Sequence, residues 1–298
     1  MPTIAKRPNN SVYTQVLCKN AASASNPSLL DGIQEVNFDT EKQITELNKL
    51  GKFGTQDRIL NSNQTTNLNI DFILDDEKSN DPFFKNTTNG FLSTDKFNFT
   101  IKDLAGTTSI NGAYLTNYSL QFSAGEAAIG RLQYQADEIS YSDTPYNTLT
   151  QSVAASNFGD ALSPNKIFLK SVLYDEGIDS ASFPVESMDL SVSLDRTPVT
   201  RIGQRVPEFR YPDPNTNGEL NVSILKNQIK DVDLSTLVLE KGYLKIELNT
   251  SNEANFTEYL FSNCSLISVS EGTSLDGNTT INFNYLFNLK DNNTVLNV

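Results

Sequence analysis

Apolar and polar residues alternate one for one through much of this chain. Ile33-Gln34-Glu35-Val36-Asn37-Phe38-Asp39 follows this pattern after Gly32, and so do Leu68-Asn69-Ile70-Asp71-Phe72 and Phe97-Asn98-Phe99-Thr100-Ile101. Tyr118-Ser119-Leu120-Gln121-Phe122 repeats it before Gly125, and Leu132-Gln133-Tyr134 continues it afterwards. Further examples are Met188 to Leu194, Leu220 to Ile224, Tyr243 to Leu248 and Ile281 to Tyr285. A period of two gives a strand one buried and one wet face. Antiparallel sheets read this way and parallel sheets, buried on both faces, do not. The pattern predicts a mainly β protein.

Two stretches, Glu41 to Thr66 and Asp195 to Gly218, break the alternation and are expected to be long loops. Loops of that length inside a compact domain tend to carry function. A short helix is expected over Asp233 to Glu240, with Gly242 as a stop, and a weaker one at Asp81-Pro82-Phe83-Phe84, where Pro82 suits a first turn.

The two interruptions match. Leu50-Gly51 and Ile202-Gly203 are 152 positions apart (203 − 51), and the same shift carries Arg58 onto Arg210, Leu68 onto Leu220 and Ile33 onto Val185. Asn117-Tyr118-Ser119-Leu120 resembles Asn263-Cys264-Ser265-Leu266, and Val16-Leu17 resembles Val172-Leu173. Repeat arrays have periods of about 20–50 residues, so a spacing this long suggests two copies of a whole domain; the identities are few, and chance similarity is the competing explanation. The expected organisation is a first module over 1–146 with an N-terminal arm, a linker over 147–164 rich in small and polar residues, and a second module over 165–298. Each copy holds one long loop and one short helix.

Composition narrows the function. The chain has 298 residues and a net charge of −13, with neither histidine nor tryptophan. A sequence-reading nucleic-acid binder needs a basic stripe, which this balance argues against. Without histidine there is no Ser-His-Asp triad, imidazole base or histidine metal ligand. Cys18 and Cys264 match no zinc or redox spacing and read as a buried thiol in each copy, the alternative being one inter-domain disulfide. The start of the chain reads as no signal peptide, and no apolar run is long enough for a helical membrane span, so synthesis in the cytoplasm is expected. Asn-X-Ser/Thr triplets at Asn86, Asn117, Asn221, Asn255 and Asn278 read as a product of an Asn-, Ser- and Thr-rich composition, the alternative being glycosylation.

No catalytic constellation emerges. Gly125-Glu126-Ala127-Ala128-Ile129-Gly130 fits neither phosphate-loop pattern and reads as a turn. Asp71, Asp75, Asp76 and Glu77 lack calcium-loop spacing, and Glu186, Asp189 and Asp195 have no partner marking a glycosidase pair. The expectation is a non-enzyme without metal or cofactor. Arg58 and Arg210, one in each long loop, are candidates to grip a carboxylate on a neighbouring subunit; the alternative is an exposed solubility charge.

The segment Leu115-Thr116-Asn117-Tyr118-Ser119-Leu120-Gln121-Phe122-Ser123-Ala124-Gly125-Glu126-Ala127-Ala128 resembles the tail tube proteins of tailed bacteriophages. There a strand of this form runs into a Gly-Glu turn, here Gly125 and Glu126, and a second alternating strand, here Ile129 to Ala136. Copy 2 has Ser270-Glu271-Gly272 in place of Gly-Glu. The resemblance implies a β-sandwich or partial barrel that closes into a ring barrel on oligomerisation. It implies ring stacking through the long loops, with Gly51, Arg58, Gly203 and Arg210 as inter-subunit candidates. A doubled chain would need three copies per ring, giving a homotrimeric, pseudo-hexameric virion protein. It would assemble with itself and other tail proteins, and DNA would pass through without specific binding. Other readings are a single-ring tail component (hub, distal or terminator) on the same fold, and a tandem carbohydrate-binding β-sandwich.

Overall fold

The computed structural model describes residues 14–22, 26–47, 57–74, 81–84, 87, 90–103, 106–143, 167–172, 185–202, 206–213, 216–225, 241–249, 256–273, 279–289 and 295–297. The first half holds β1 (Gln15–Asn20), β2 (Ser28–Leu29), β3 (Ile33–Leu47), β4 (Asp57–Ile73), β5 (Phe97–Asp103), β6 (Gly106–Ser123), β7 (Ile129–Ala136) and β8 (Glu138–Ser142). The second holds β9 (Ile167–Val172), β10 (Val185–Ser193), β11 (Arg196–Val199), β12 (Phe209–Pro212), β13 (Asn217–Leu225), β14 (Lys241–Asn249), β15 (Phe256–Thr273), β16 (Thr279–Asn288) and β17 (Val295–Asn297). The protein is mainly β and antiparallel, and every alternating segment noted above lies in or on a strand.

Among the described residues there is no helix. At Asp81 to Phe84 the chain makes a single turn: Asp81 Oδ1 accepts from the Phe83 and Phe84 amides, and Thr87 N–H donates to the Phe83 carbonyl. The capping chemistry is present, and the described residues 81–84 form a turn and not a helix. Asp233 to Glu240 and the linker over 147–164 lie outside the described residues.

One antiparallel run forms the centre, in the order β3-β4-β7-β6-β10-β13-β16-β15. The first half of β6 leaves this run to pair with β5 and β8, and β5 carries β1 and β2. The first half of β15 likewise leaves to pair with β14 and β17, and β14 carries β9. β6 changes sheets through two register shifts, opposite Phe97/Phe99 and between Leu115 and Asn117. Its buried face changes phase at both places, as expected of bulges that bend a strand. At the first, Gly112 takes φ 67, a left-handed conformation that favours glycine.

The ladder pattern of the first half recurs in the second. β1·β5, β3·β4, β4·β7, β5·β6, β6·β7 and β6·β8 correspond to β9·β14, β10·β13, β13·β16, β14·β15, β15·β16 and β15·β17. Registers agree as well. Phe38↔Leu68 becomes Leu190↔Leu220, and Ile44↔Leu60 becomes Arg196↔Pro212, both at a shift of 152 (190 − 38; 196 − 44). The bulge between Leu115 and Asn117 reappears between Leu266 and Ser268, at a shift of 151 (266 − 115).

These registers correct three sequence expectations. The stretch 41–66 is largely strand among its described residues, and 195–218 holds β11, β12 and the start of β13. β3 and β4 stay paired out to Leu47↔Asp57, and β11 and β12 form a separate ribbon. Tyr118 corresponds to Val269, so Asn117–Leu120 is not the counterpart of Asn263–Leu266; the bulge sets the register and a four-residue likeness does not. By the same reasoning Leu17 corresponds to Lys170, and Val172-Leu173 is not its match.

The halves join through β6 and β10, where Phe122↔Met188, Leu120↔Leu190 and Tyr118↔Val192 are cross-strand pairs of buried residues. Burying a side chain of this size contributes about 1.5–3 kcal/mol. Behind the join, Phe83, Phe84, Phe91, Tyr118 and Tyr259 form an aromatic cluster with ring centroids 5.0–6.0 Å apart. Cys18 and Cys264 are both buried and neither is in a disulfide, and burial pushes the Cys18 thiol up to about 12.

Candidate functional site: the polar face and the ends of the central run

Alternation along the eight central strands sends apolar side chains to the core and leaves the other face polar. Across this face the registers line up residues in rows. One row runs Glu35, Asp71, Arg131, Ser119, Ser191, Glu219. The next runs Asn37, Asn69, Gln133, Asn117, Ser193. A third includes Gln121, Asp189, Asn221 and Asn284. Asp39 and Glu41 extend the face along β3, where Asp39 accepts from Asn67 at 3.0 Å.

The face is acidic. Glu35, Asp39, Glu41, Asp71, Asp189 and Glu219 stand on it, and in these rows the one cation is Arg131. Its guanidinium grips Asp71 bidentately at 2.7 and 2.8 Å. Hydrogen bonding to Asp71 raises the Arg131 pKa, with Glu35 adding to the effect. The cation is thus engaged by carboxylates, and the rest of the face is mostly Asn, Gln and Ser, with Ile73 and Ile129 in the Gln121 row and Leu286 beside Glu219.

No family model matches this chain, and no curated protein matches it.

The two ends of the run differ from its middle. Among the described strands, β3 pairs with β4 alone, and the Leu266–Thr273 part of β15 pairs with β16 alone. Val36 and Phe38 on β3 are half-buried, whereas Met188 and Leu190, at the same places on β10, are buried at the join. Val269 on β15 is half-buried, whereas Tyr118, its counterpart on β6, is fully buried.

The residues singled out from sequence fall in different places. Gly51 and Gly203 lie outside the described residues. Arg58 lies on β4 opposite Glu46, and its side chain is outside them too. Arg210, on β12, is 6 % exposed and donates to Gln135 and, at 3.1 Å, to Asp137 of its own chain. Next to it Arg196 donates to the Leu115 carbonyl at 2.6 Å and lies 5.7 Å from the Tyr114 ring centre. Burial lowers the Arg196 pKa to about 10. Together these two arginines fasten the β11–β12 ribbon to β6, β7 and the Asp137 corner. Gly125 and Glu126 are exposed in the β6–β7 turn, where Gly125 takes φ 84. Ser270-Glu271-Gly272 lies within strand β15, so it is not the equivalent turn.

Sequence reasoning missed two features. The acidic face was legible only as the polar half of each alternation, because which strands stand side by side comes from the ladders. Asp81 was read only as a helix start. It is buried and accepts from Tyr118 Oη and, at 2.9 Å, from Tyr259 Oη. Burial raises its pKa, with these hydrogen bonds opposing the rise. Among the described residues no three of His, Cys, Asp and Glu converge as a metal site.

Proposed function

We propose that this chain is a structural subunit of a tailed-phage tail tube, built from two tandem copies of one β module. Three copies close side by side into a pseudo-hexameric ring, and rings stack into a tube that conducts DNA. The observation that carries the reading is the recurrence of six ladders in register, with the β6–β10 ladder as the join between copies. A module that pairs in this way with its own duplicate has the geometry to pair with further copies. Closure would remove the two edges, which are a liability when left open.

Three runs of eight strands give a barrel of 24. At about 4.8 Å between strands and about 40° of tilt, opposed backbones stand roughly 48 Å apart. That leaves room for a DNA duplex and water. With the core on the outside of the barrel, the acidic, Asn- and Ser-rich face lines the bore. Negative charge repels phosphate, and the engaged Arg131 offers no counter-charge, so DNA slides without being held. The role is mechanical, with the virion tail as its site and other tail proteins as partners.

Electron microscopy of the purified chain tests this. Hollow tubes are the expected result. Isolated rings would assign the chain to a single-ring tail component, and a monomer at micromolar concentration would sink the reading.

A further inference from the structure

The chain contains one complete antiparallel contact between its two halves. β6 and β10 pair antiparallel from Ser123↔Ser187 to Asn117↔Ser193, and the ladder is flanked by Ala124 N–H to the Glu186 carbonyl and Leu194 N–H to the Thr116 carbonyl. β10 corresponds to β3 at a shift of 152 and β6 to β15 at a shift of 151, as the ladders beside them fix. Within the described strands, β3 and the second half of β15 are the two ends of the central run.

We propose that β3 of one copy pairs antiparallel with β15 of a second copy, in the register transferred from the β6–β10 join. That register sets Asn37 opposite Gly272, Asp39 opposite Ser270 and Glu41 opposite Ser268. It also sets Thr40 opposite Val269. Pairing covers Val36, Phe38 and Val269, which stay half-buried in the single chain while Met188, Leu190 and Tyr118 at the same places in the join are buried. Because β4 holds Val36 and Phe38 on the apolar side, a slip of one residue would set them against residues of β15 that face the polar side, so the apolar pattern itself opposes it.

The new contact is not a perfect copy. Position 271 is glutamate where the join has Leu120, and 273 is threonine where it has Phe122. The intermolecular seam therefore carries less apolar area than the intramolecular one. It is the weaker of the two and the place where a ring opens. This inference rests on the ring reading only in requiring that copies associate side by side; stacking into a tube is not needed.

Engineered disulfides read the register. Directly opposite residues in an antiparallel pair have Cα atoms about 4.5–5.5 Å apart, within disulfide range, while diagonal ones do not. Within one chain Asp39 and Ser270 are at opposite ends of an eight-strand run, roughly 30 Å apart along the sheet, so a bond between them must join two copies. The full-length variant Asp39→Cys/Ser270→Cys, mildly oxidised, should give covalent dimers and trimers on denaturing gels at least ten times more than Asp39→Cys/Ser268→Cys. Asn37→Cys/Gly272→Cys should behave like the first and guards against a local folding defect. Native mass measurement of the unmodified chain runs alongside. If it is oligomeric and neither in-register pair links above the shifted control, this register is overturned and the ring reading stands. If it is monomeric, both fail.

Discussion

Tyr259 and Asp81, 178 positions apart, meet in a 2.9 Å hydrogen bond inside the aromatic cluster between the halves. Tyr118 donates to the same carboxylate oxygen, and the Phe83 and Phe84 amides donate to the other. Taking the donor away from a buried acceptor costs about 1–3 kcal/mol. Tyr259→Phe should therefore lower stability by about that amount, read as a shift in the denaturant midpoint at neutral pH. An unchanged midpoint would mean that the hydroxyl contributes nothing to holding the halves together.

Asp81 also gives stability a pH dependence. Its carboxyl is held above its ordinary value in the folded protein, burial being the largest cause. The folded state therefore binds the proton more tightly than the unfolded state. Its contribution is greatest below the unfolded value, near pH 4, and falls as pH rises through the folded value. Asp81→Asn cannot titrate. The midpoint difference, wild type minus Asp81→Asn, should decline with pH across that window and flatten above it. Parallel curves would contradict the assignment.

Arg210 and Asp137 form an ion pair with side chains 7 % and 3 % exposed. Removing one partner strands a buried charge, at about 3–5 kcal/mol. Arg210→Ala and Asp137→Ala should each cost that much, and the double variant much less than their sum. An additive cycle would show that the pair is not coupled. Because Arg210 engages a carboxylate of its own chain, loss of assembly in Arg210→Ala should track loss of folding.

Gly130 and Gly218 lie under phenylalanine rings. A Cβ on Gly130 would fall 2.1 Å from Phe72 Cζ, and one on Gly218 2.1 Å from Phe287 Cζ. Each ring sits on the strand opposite its glycine. Gly130→Ala should destabilise by about 1–3 kcal/mol through overpacking, and Phe72→Leu added to it should recover part of that loss. If Gly130→Ala melts with the wild type, the ring has room that the geometry does not give it.

The acidic face makes a solution prediction. The unmodified protein should show no salt-sensitive affinity for duplex DNA. Glu35→Lys/Asp189→Lys/Glu219→Lys should bind it, with log affinity falling linearly with log salt concentration. Retained assembly without DNA binding in this variant would mean that the face does not line the bore.

The strands were legible because each carries its own signal. Leu68 to Phe72 and Leu220 to Ile224 need one apolar side and one wet side wherever they are placed, so alternation announces them. The ribbon of β11 and β12 was not, because among the described strands it has no sheet neighbour and its burial does not alternate; Pro198 sits where only an edge strand tolerates it. The recurrence of ladders showed first at Arg58 and Arg210, which sit at one shift. Further on, the Asn117 and Asn263 motifs misled, since short polar strings recur by composition in a chain rich in Asn and Ser.

By itself the sequence determined the β class, the wet and dry side of each strand, the acidic balance and the hint of repetition, because these depend on local period and composition. The tertiary structure decided which strands are neighbours. Only it brings Glu35, Asp71, Arg131 and Glu219 onto one face, seats Arg210 on Asp137 and buries Asp81 between two tyrosines. Those relationships depend on register, and register is set by bulges and cross-strand packing between segments far apart in the chain, which no local pattern records.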